Sequence, residues 1–327
     1  MEISVHERLN VIILLRFAGL FILKPYKINI RLFQLKGMKM RNYVIFTDSS
    51  CDLSQEMLKT RGVECASLTF RFDGDNKEYS NNEMPIKAFY DKMRNGGVAK
   101  TAATNSEDFA KGFEEILKSG NDVLYIGFSS GLSTTFNSAR LAAEDLKEKY
   151  PEGKIICVDT LAASAGIALL IDMVIEKKNA GATIEEAAKY AEDIKLKICH
   201  WFTVDDLVYL KRGGRVSAAT ALVGNMLGIK PILHVDNEGH LINVGKVRGR
   251  KLSIAALASK YGELCDDENN KIVYISHADC LSEAEELGKI IKEKYGAETK
   301  LITNVGTVIG AHSGPGTIAL FFVGKER

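Results

Sequence analysis

The sequence lacks an excess of either charge. Its 327 residues include 43 lysines and arginines against 42 aspartates and glutamates. Proteins that bind nucleic acid carry a basic patch or a strong positive net charge, so this balance argues against a nucleic-acid partner. Internal repeats and low-complexity segments are also missing. Because 46% of the residues are hydrophobic, the chain can bury one large core or two joined ones, and we expect two domains.

Cysteine and histidine lack the spacing of a metal site. The six cysteines form no C-x-x-C pair, and the six histidines show no ligand spacing. We therefore expect no metal and no cofactor. Scattered cysteines of this kind are typical of reduced, mostly buried thiols, so we expect a cytoplasmic protein.

A hydrophobic run long enough to cross a membrane is missing as well. The apolar run at 11–23 is interrupted by Arg16 and is well short of the roughly 20 residues that span a bilayer. Acidic residues near the start and the absence of a clear cleavage site argue against a signal peptide. We expect no stable membrane insertion. Residues 1–39 are interpreted as an extension that is either disordered or a mis-called start, with translation beginning at Met38 or Met40.

Short apolar strands alternate with helical patterns through residues 40–165. This alternation predicts a Rossmann-like α/β domain with a parallel sheet, in which 63–72 forms one strand. Ser106 is predicted to cap the helix that follows it. From 166 to 327 the pattern changes, with a hairpin turn at 236–239 and an apolar helix at 222–227, and we expect an α+β domain with a mixed or antiparallel sheet. The predicted fold class is therefore α/β with two domains.

Three turns rich in hydroxyl groups, at 48–52, 101–106 and 129–135, adjoin predicted strands of the first domain. Ligands of open α/β sheets bind at the carboxyl ends of the strands, so these turns are expected to converge on one site. The alternative is that their side chains only cap helices, as Asp48 is expected to cap its own turn.

The third turn allows two interpretations. Its amides are expected to be free at a helix start, where a carboxylate or phosphate binds well. It also spells Gly127-x-Ser129-x-Gly131, the nucleophile-elbow pattern of serine hydrolases. In that alternative Ser129 is the nucleophile and His312 the base. The acid would come from Asp236, Asp266 or Asp279, but no His-Gly-Gly type oxyanion segment precedes the elbow.

Two further motifs suit an anion. The run Lys-Arg-Gly-Gly-Arg at 211–215 offers arginine beside glycines that permit close approach, although a basic helix end is an equally good explanation. His312 begins a His-Ser-Gly-Pro-Gly turn at 312–316, which is stiff enough to hold a site residue.

Six segments in this order resemble the DegV family of bacterial fatty-acid-binding proteins: FTDSSCDL, KTAATNSEDF, YIGFSSGLSTTFNSA, LKRGGRVS, GKVRGRK and HSGPG. The resemblance extends over about Arg41 to Arg327. It implies a two-domain protein without catalysis of its own, which holds one long-chain fatty acid between or within its domains. Such a protein is the lipid-carrying subunit of fatty acid kinase, which converts the bound acid to an acyl phosphate for phospholipid synthesis.

Through these motifs, the resemblance implies roles for particular residues of this sequence. The carboxylate would be bound by Thr101, Ser129 and Ser130 with support from His312 and Arg215, while Arg248 would face the kinase. Two segments depart from the family pattern, 101–105 (TAATN) and 132–135 (LSTT), which affects the loop shape and the preferred chain. An acyl chain of about 16 carbons, at roughly 0.8 kcal/mol per buried CH₂, supplies ample affinity. Neutral hydroxyl groups around the carboxylate would leave its oxygens nucleophilic.

Overall fold

The computed structural model describes residues 41–216, 228–266 and 271–327. The predicted extension at 1–39 and the predicted helix at 222–227 lie outside these residues. The strands, in chain order, are β1 (Tyr43–Asp48), β2 (Val63–Ala66), β3 (Thr69–Phe72), β4 (Tyr79–Ser80), β5 (Ala99–Ala102), β6 (Asp122–Gly127), β7 (Ile155–Asp159), β8 (Ile198–Thr203), β9 (Ile229–Val235), β10 (Leu241–Arg248), β11 (Ile272–His277), β12 (Glu298–Asn304) and β13 (Ile318–Val323). The helices are α1 (Gln55–Arg61), α2 (Ile86–Arg94), α3 (Ser106–Lys118), α4 (Thr135–Lys149), α5 (Ala165–Asn179), α6 (Ile184–Ile194), α7 (Val208–Arg212), α8 (Arg250–Leu264), α9 (Leu281–Tyr295) and α10 (Thr307–Ser313).

The first sheet is parallel, with the strand order β2-β1-β6-β7. Its central strand β6 is buried along its whole length, as expected of a strand covered by helices on both faces. Helices α3 and α4 cover one face through a cluster of aromatic side chains that includes Phe46, Phe113 and Tyr125. Helices α5 and α6 contact the sheet as well. The predicted Rossmann-like arrangement is therefore confirmed.

The second sheet is mixed, with the order β10-β9-β8-β13-β11-β12. Only the pair of β11 and β12 is parallel. Helices α8 and α9 pack on one face of this sheet, and α5 contacts three of its strands, β8, β11 and β13. The predicted mixed sheet and the hairpin at 236–239, which joins β9 to β10, are confirmed. Residues 42–327 form one compact unit.

A third, small antiparallel sheet with the order β4-β3-β5 was not predicted. The single strand predicted at 63–72 is wrong, because 63–66 pairs with β1 whereas 69–72 turns away to pair with β5. Thr101 lies within β5, opposite Phe70, and not in a turn of the parallel sheet. The helix cap is also shifted by one residue, since Asn105 Oδ1 accepts from the amide of Asp108.

Candidate functional site

A cavity of about 480 Å³ lies among the loop at 128–134, strand β5, helix α10 and the mixed sheet. This size is within the range of small-molecule sites. No aspartate or glutamate lines it among the described residues. Most of its lining is apolar, including Phe128, Leu132, Phe202, Val235, Leu241 and Phe321.

Thr101 and His312 meet at the wall of this cavity. Oγ1 of Thr101 lies 2.8 Å from Nε2 of His312, within hydrogen-bond distance. Strand β5 holds the threonine, and the last turn of α10 holds the histidine. Gly213 makes room for the imidazole, because a Cβ at this position would lie 2.0 Å from Nδ1 of His312. The two motifs with the sequences Gly-Gly-Arg and His-Ser-Gly-Pro-Gly therefore pack against each other.

The imidazole of His312 is neutral. Burial, reinforced by the nearby charge of Arg215, lowers its pKa to about 4. Nδ1 is buried without a hydrogen-bond partner among the described residues. Through Nε2, His312 can therefore hydrogen-bond to Thr101 or to a ligand without adding a positive charge.

Arg215 supplies the positive charge of the cavity wall. Its Nε donates to the carbonyl oxygen of Leu132 at 3.2 Å, and its Nη1 donates to that of Gly213. Burial alone lowers the pKa of its guanidinium, and none of the ion pairs among the described residues involves it. With two of its donors bound to the backbone, the guanidinium offers a charge that is fixed in place and open to an anion.

The serine loop is arranged differently from the prediction. The amides of residues 129–133 all donate to acceptors within the protein, and α4 begins only at Thr135. The expected cradle of free amides at a helix start is therefore wrong. Ser130 is exposed and lines the cavity.

Ser129 is fully buried and is not part of the cavity lining. Its hydroxyl donates to the carbonyl oxygen of Gly239 at 2.9 Å and accepts from the amide of Gly131. The structure therefore does not bring this hydroxyl to a head group in the cavity. The reason is that the tight turn of the β9–β10 hairpin packs on the loop and takes the hydroxyl as its donor.

The geometry of a serine hydrolase is absent from the described residues. Ser129 bonds to a carbonyl, and His312 bonds to Thr101. No carboxylate orients the imidazole: Asp236 accepts from backbone amides of its own hairpin turn, and Asp279 pairs with Arg94. Asp266 forms no side-chain bond to the histidine either, because Nδ1 has no partner. The triad required for an activated serine is not assembled.

Asp48 caps its turn as predicted, with Oδ1 accepting from the amide of Ser50. Its other oxygen accepts from the hydroxyl of Tyr125 and from the amide of Phe128, and burial raises the pKa of this carboxyl. The first hydroxyl-rich turn is therefore a structural support beneath the loop at 128–134.

Arg248 lies exposed at the end of β10.

His200 and Ser164 are among the polar residues of the cavity wall that were not predicted as site residues. His200 is 1% exposed, and its Nδ1 lies 2.8 Å from the carbonyl oxygen of Ile198, while Nε2 has no partner among the described residues. Ser164 has a φ of 58° and hydrogen-bonds through Oγ to Asp52 and to Ser276. No local pattern distinguishes either residue, because their position depends on the pairing of β8 and on the packing of α5.

None of the helices in the described ranges combines the length and the apolar character that crossing a bilayer requires. Within the same ranges, no group of three or more His, Cys, Asp or Glu side chains is placed to hold a metal ion.

The fold and the site can be compared with known proteins. The model of the family described as "Uncharacterised protein, DegV family" matches residues 42–325. A DegV domain-containing protein of Clostridium perfringens, CPE0026, is 43% identical over 291 residues, which cover 88% of this chain and 99% of the relative.

Two solved structures are similar over nearly their whole length. A DegV lipid-binding protein of Thermotoga maritima has a TM-score of 0.76 and 32% identity, covering 88% of this chain and 99% of its own. A DegV family protein of Thermus thermophilus, described by its fatty acid binding, has a TM-score of 0.77 and 28% identity, covering 86% and 99%. From its architecture and its sequence alike, this chain belongs to the DegV family.

Proposed function

We propose that the protein binds one long-chain fatty acid in the cavity beside Thr101, His312 and Arg215. The observation that carries the proposal is the combination in one cavity of apolar walls, a single cationic side chain and no carboxylate among the described residues. Such a cavity is complementary to an apolar molecule with one anionic end. The relative from Thermus thermophilus, whose description names fatty acid binding, supports the same ligand class.

The carboxylate would lie against Thr101 Oγ1 and the open side of Arg215, with His312 and the hydroxyl of Ser130 beside it. Burial of the acyl chain supplies most of the affinity, at roughly 0.8 kcal/mol per CH₂. Ser129 supports this arrangement indirectly, because it holds the β9–β10 hairpin whose residues Val235 and Leu241 line the cavity.

The protein would present this carboxylate to a separate fatty acid kinase. Two of the five N–H donors of Arg215 are taken by backbone carbonyls, so fewer donors hold the carboxylate than a free guanidinium would supply. One oxygen would stay nucleophilic and attack the terminal phosphorus of a nucleoside triphosphate. The bond from that phosphorus to its bridging oxygen breaks, and the nucleoside diphosphate leaves. The product is an acyl phosphate, an intermediate suited to phospholipid synthesis, and the protein itself needs no catalytic group.

We place this cycle in the cytoplasm. The thiols of Cys51 and Cys199 are buried and form no disulfide bond, as is usual in a reducing compartment.

Native mass spectrometry of the freshly purified protein, repeated after denaturation, tests ligand binding. We expect an added mass equal to one long-chain fatty acid in the native spectrum and its loss on denaturation. A delipidated sample should regain this mass with stearic acid. A protein that neither carries nor takes up a fatty acid would contradict the proposal.

A reconstituted assay tests presentation to the kinase. The loaded protein, a fatty acid kinase catalytic subunit and ATP should yield acyl phosphate, which hydroxylamine traps as the hydroxamate. Arg248→Glu should reduce the rate while leaving fatty acid binding intact. Lys59→Glu, the same change of charge at an exposed residue of α1, is the control. Equal rates for both variants would argue against Arg248 as a kinase contact.

A further inference from the structure

Strand β13 and the residue before it run along one wall of the cavity. Thr317, Ala319 and Phe321 line the cavity, because alternate residues of a strand face the same side. Thr317 is nearest to the head-group residues, since its hydroxyl donates to the carbonyl oxygen of Ser313, the residue after His312. Phe321 lies four residues farther along the chain, which in an extended strand is a distance of about 13 Å.

The cavity ends at the row of the mixed sheet that contains Phe321. The register pairs Phe321 with His200 of β8, and both residues line the cavity. The next pair on the same face, Val323 with Ile198, is buried in the core and does not belong to the lining. Phe321 is 2% exposed, and its ring meets that of His200 edge to face, with centroids 5.3 Å apart. These two rings therefore close the cavity in the direction of the strands.

A small side chain separates the two ends of this wall. Ala319 lies between Thr317 and Phe321 on the cavity face of the sheet, and it pairs with Phe202 of β8. An alanine leaves space above the strand, whereas Phe321 fills the corresponding space two residues farther on. The wall therefore forms a track that is open at Ala319 and closed at Phe321.

We propose that Phe321 sets the length of the longest acyl chain that the cavity accepts. A fatty acid whose carboxylate lies at Arg215 and His312 would extend past Ala319 until its terminal methyl group meets the ring of Phe321. Each CH₂ group adds affinity only while it enters apolar space, and a longer chain must displace packed side chains. This inference rests on the proposed function, since it concerns the chain of the same ligand.

Native mass spectrometry with a mixture of ligands tests the limit. The delipidated full-length protein is incubated with equal amounts of the even-numbered saturated acids from dodecanoic to docosanoic acid, and each bound acid is identified by its added mass. We expect uptake to fall by about 10-fold beyond one chain length, because extra methylenes overpack a filled cavity. Uptake that shows no upper limit would overturn the inference. Uptake of no acid at all would contradict the proposed function itself.

Two leucine variants of adjacent phenylalanines assign the limit to one residue. Phe321→Leu removes three side-chain carbons from the end wall, and the surrounding residues fill such a space only in part, so the limit should move up by about two carbons. Phe322→Leu is the matched control. Phe322 is fully buried on the opposite face of the sheet, where its ring packs on Tyr261, and it does not line the cavity. A limit that is unchanged in Phe321→Leu, or that moves equally in both variants, would overturn the inference.

Ala319→Val tests the path of the chain and decides the question if Phe321→Leu does not fold. The two added carbons would narrow the track between the head group and Phe321, so the distribution of bound acids should move to shorter chains. An unchanged distribution would show that the acyl chain does not follow β13, which would overturn the inference.

Discussion

Thr101 Oγ1 and His312 Nε2 lie 2.8 Å apart although 211 positions separate the two residues in the chain. The contact joins the small antiparallel sheet to the last turn of α10. Because both groups line the cavity, an anionic head group would lie against a hydrogen-bonded pair that is already positioned.

Thr101→Val tests this pair, because it removes the hydroxyl and keeps the shape of the side chain. Loss of a hydrogen-bond partner at the head group should weaken fatty acid binding by about 1 to 2 kcal/mol without unfolding the protein. Isothermal titration of delipidated protein measures the change. Thr60→Val, at an exposed residue of α1, is the control. Equal affinities of the two variants would exclude Thr101 from the head-group site.

Arg215→Gln tests the role of the positive charge. The wild type should bind a fatty acid more tightly than the fatty alcohol of the same length, because only the acid offers a negative charge to the guanidinium. In Arg215→Gln we expect this preference to fall by about 10-fold, with little change in the affinity for the alcohol. An equal loss for both ligands would indicate that the variant disturbs the cavity and not the charge recognition.

Gly213→Ala should displace the imidazole of His312. The φ of Gly213 is −73°, so alanine meets no backbone strain there, and its effect comes from the Cβ that would lie 2.0 Å from Nδ1. We expect the contact to Thr101 to be lost and fatty acid affinity to fall. Gly245→Ala is the matched control, because the nearest atom to a Cβ at that position is 4.0 Å away. Chemical shifts of the His312 ring should move in the first variant and stay constant in the second.

Asp52 makes stability depend on pH. Burial raises the pKa of its carboxyl to about 7, against an ordinary value of 3.8. The folded state therefore binds a proton that the unfolded state has released, and the protein loses stability as the pH rises from about 4 to about 7. The pKa difference corresponds to about 4 kcal/mol. Asp52→Asn should remove this loss, so the free energy of unfolding of the variant relative to wild type should increase between pH 4 and pH 8. A constant difference would show that Asp52 titrates normally.

Ser129→Ala should act on stability. The hydroxyl is fully buried and donates to the Gly239 carbonyl, which the variant leaves without this donor. We expect a loss of about 1 to 3 kcal/mol in the free energy of unfolding, with a smaller effect on fatty acid affinity than Thr101→Val. Denaturant unfolding and titration of the same sample measure both. A large loss of fatty acid affinity with an unchanged free energy of unfolding would indicate that Ser129 contacts the head group.

Local sequence signals predicted much of the fold. The turn at 236–239 forms the expected hairpin, and Thr183 and Glu186 form a capping box at the start of α6, a pattern that depends only on residues three positions apart. Apolar strands separated by helices predicted the parallel sheet correctly. These features depend on neighbouring residues, which is why the sequence alone reveals them.

The wrong predictions concern segments whose structure depends on hydrogen bonds to residues far away in the sequence. Residues 63–72 alternate like one strand, but their two halves hydrogen-bond to different sheets. Likewise, the loop at 128–134 has the composition of an anion cradle, while its amides are taken by acceptors as distant as Asp159 and Ala162.

The site residues likewise divide into those that a local motif reveals and those that long-range pairing brings to the cavity. His312 and Arg215 were predicted because they belong to motifs, and both reach the cavity. His200 belongs to no motif, and its position in the cavity wall depends on the pairing of β8 with β13, where it lies opposite Phe321.

The contacts of α5 with both large sheets bear on how the protein unfolds. One continuous hydrophobic core includes Ile45 of the parallel sheet, Leu170 of α5 and Phe321 of the mixed sheet. Separating the chain near residue 165 would expose the face of this helix that packs on the parallel sheet, so neither half would retain a complete core. The two sheets are thus expected to unfold in a single cooperative transition, and the cavity beside this shared core exists only in the intact chain.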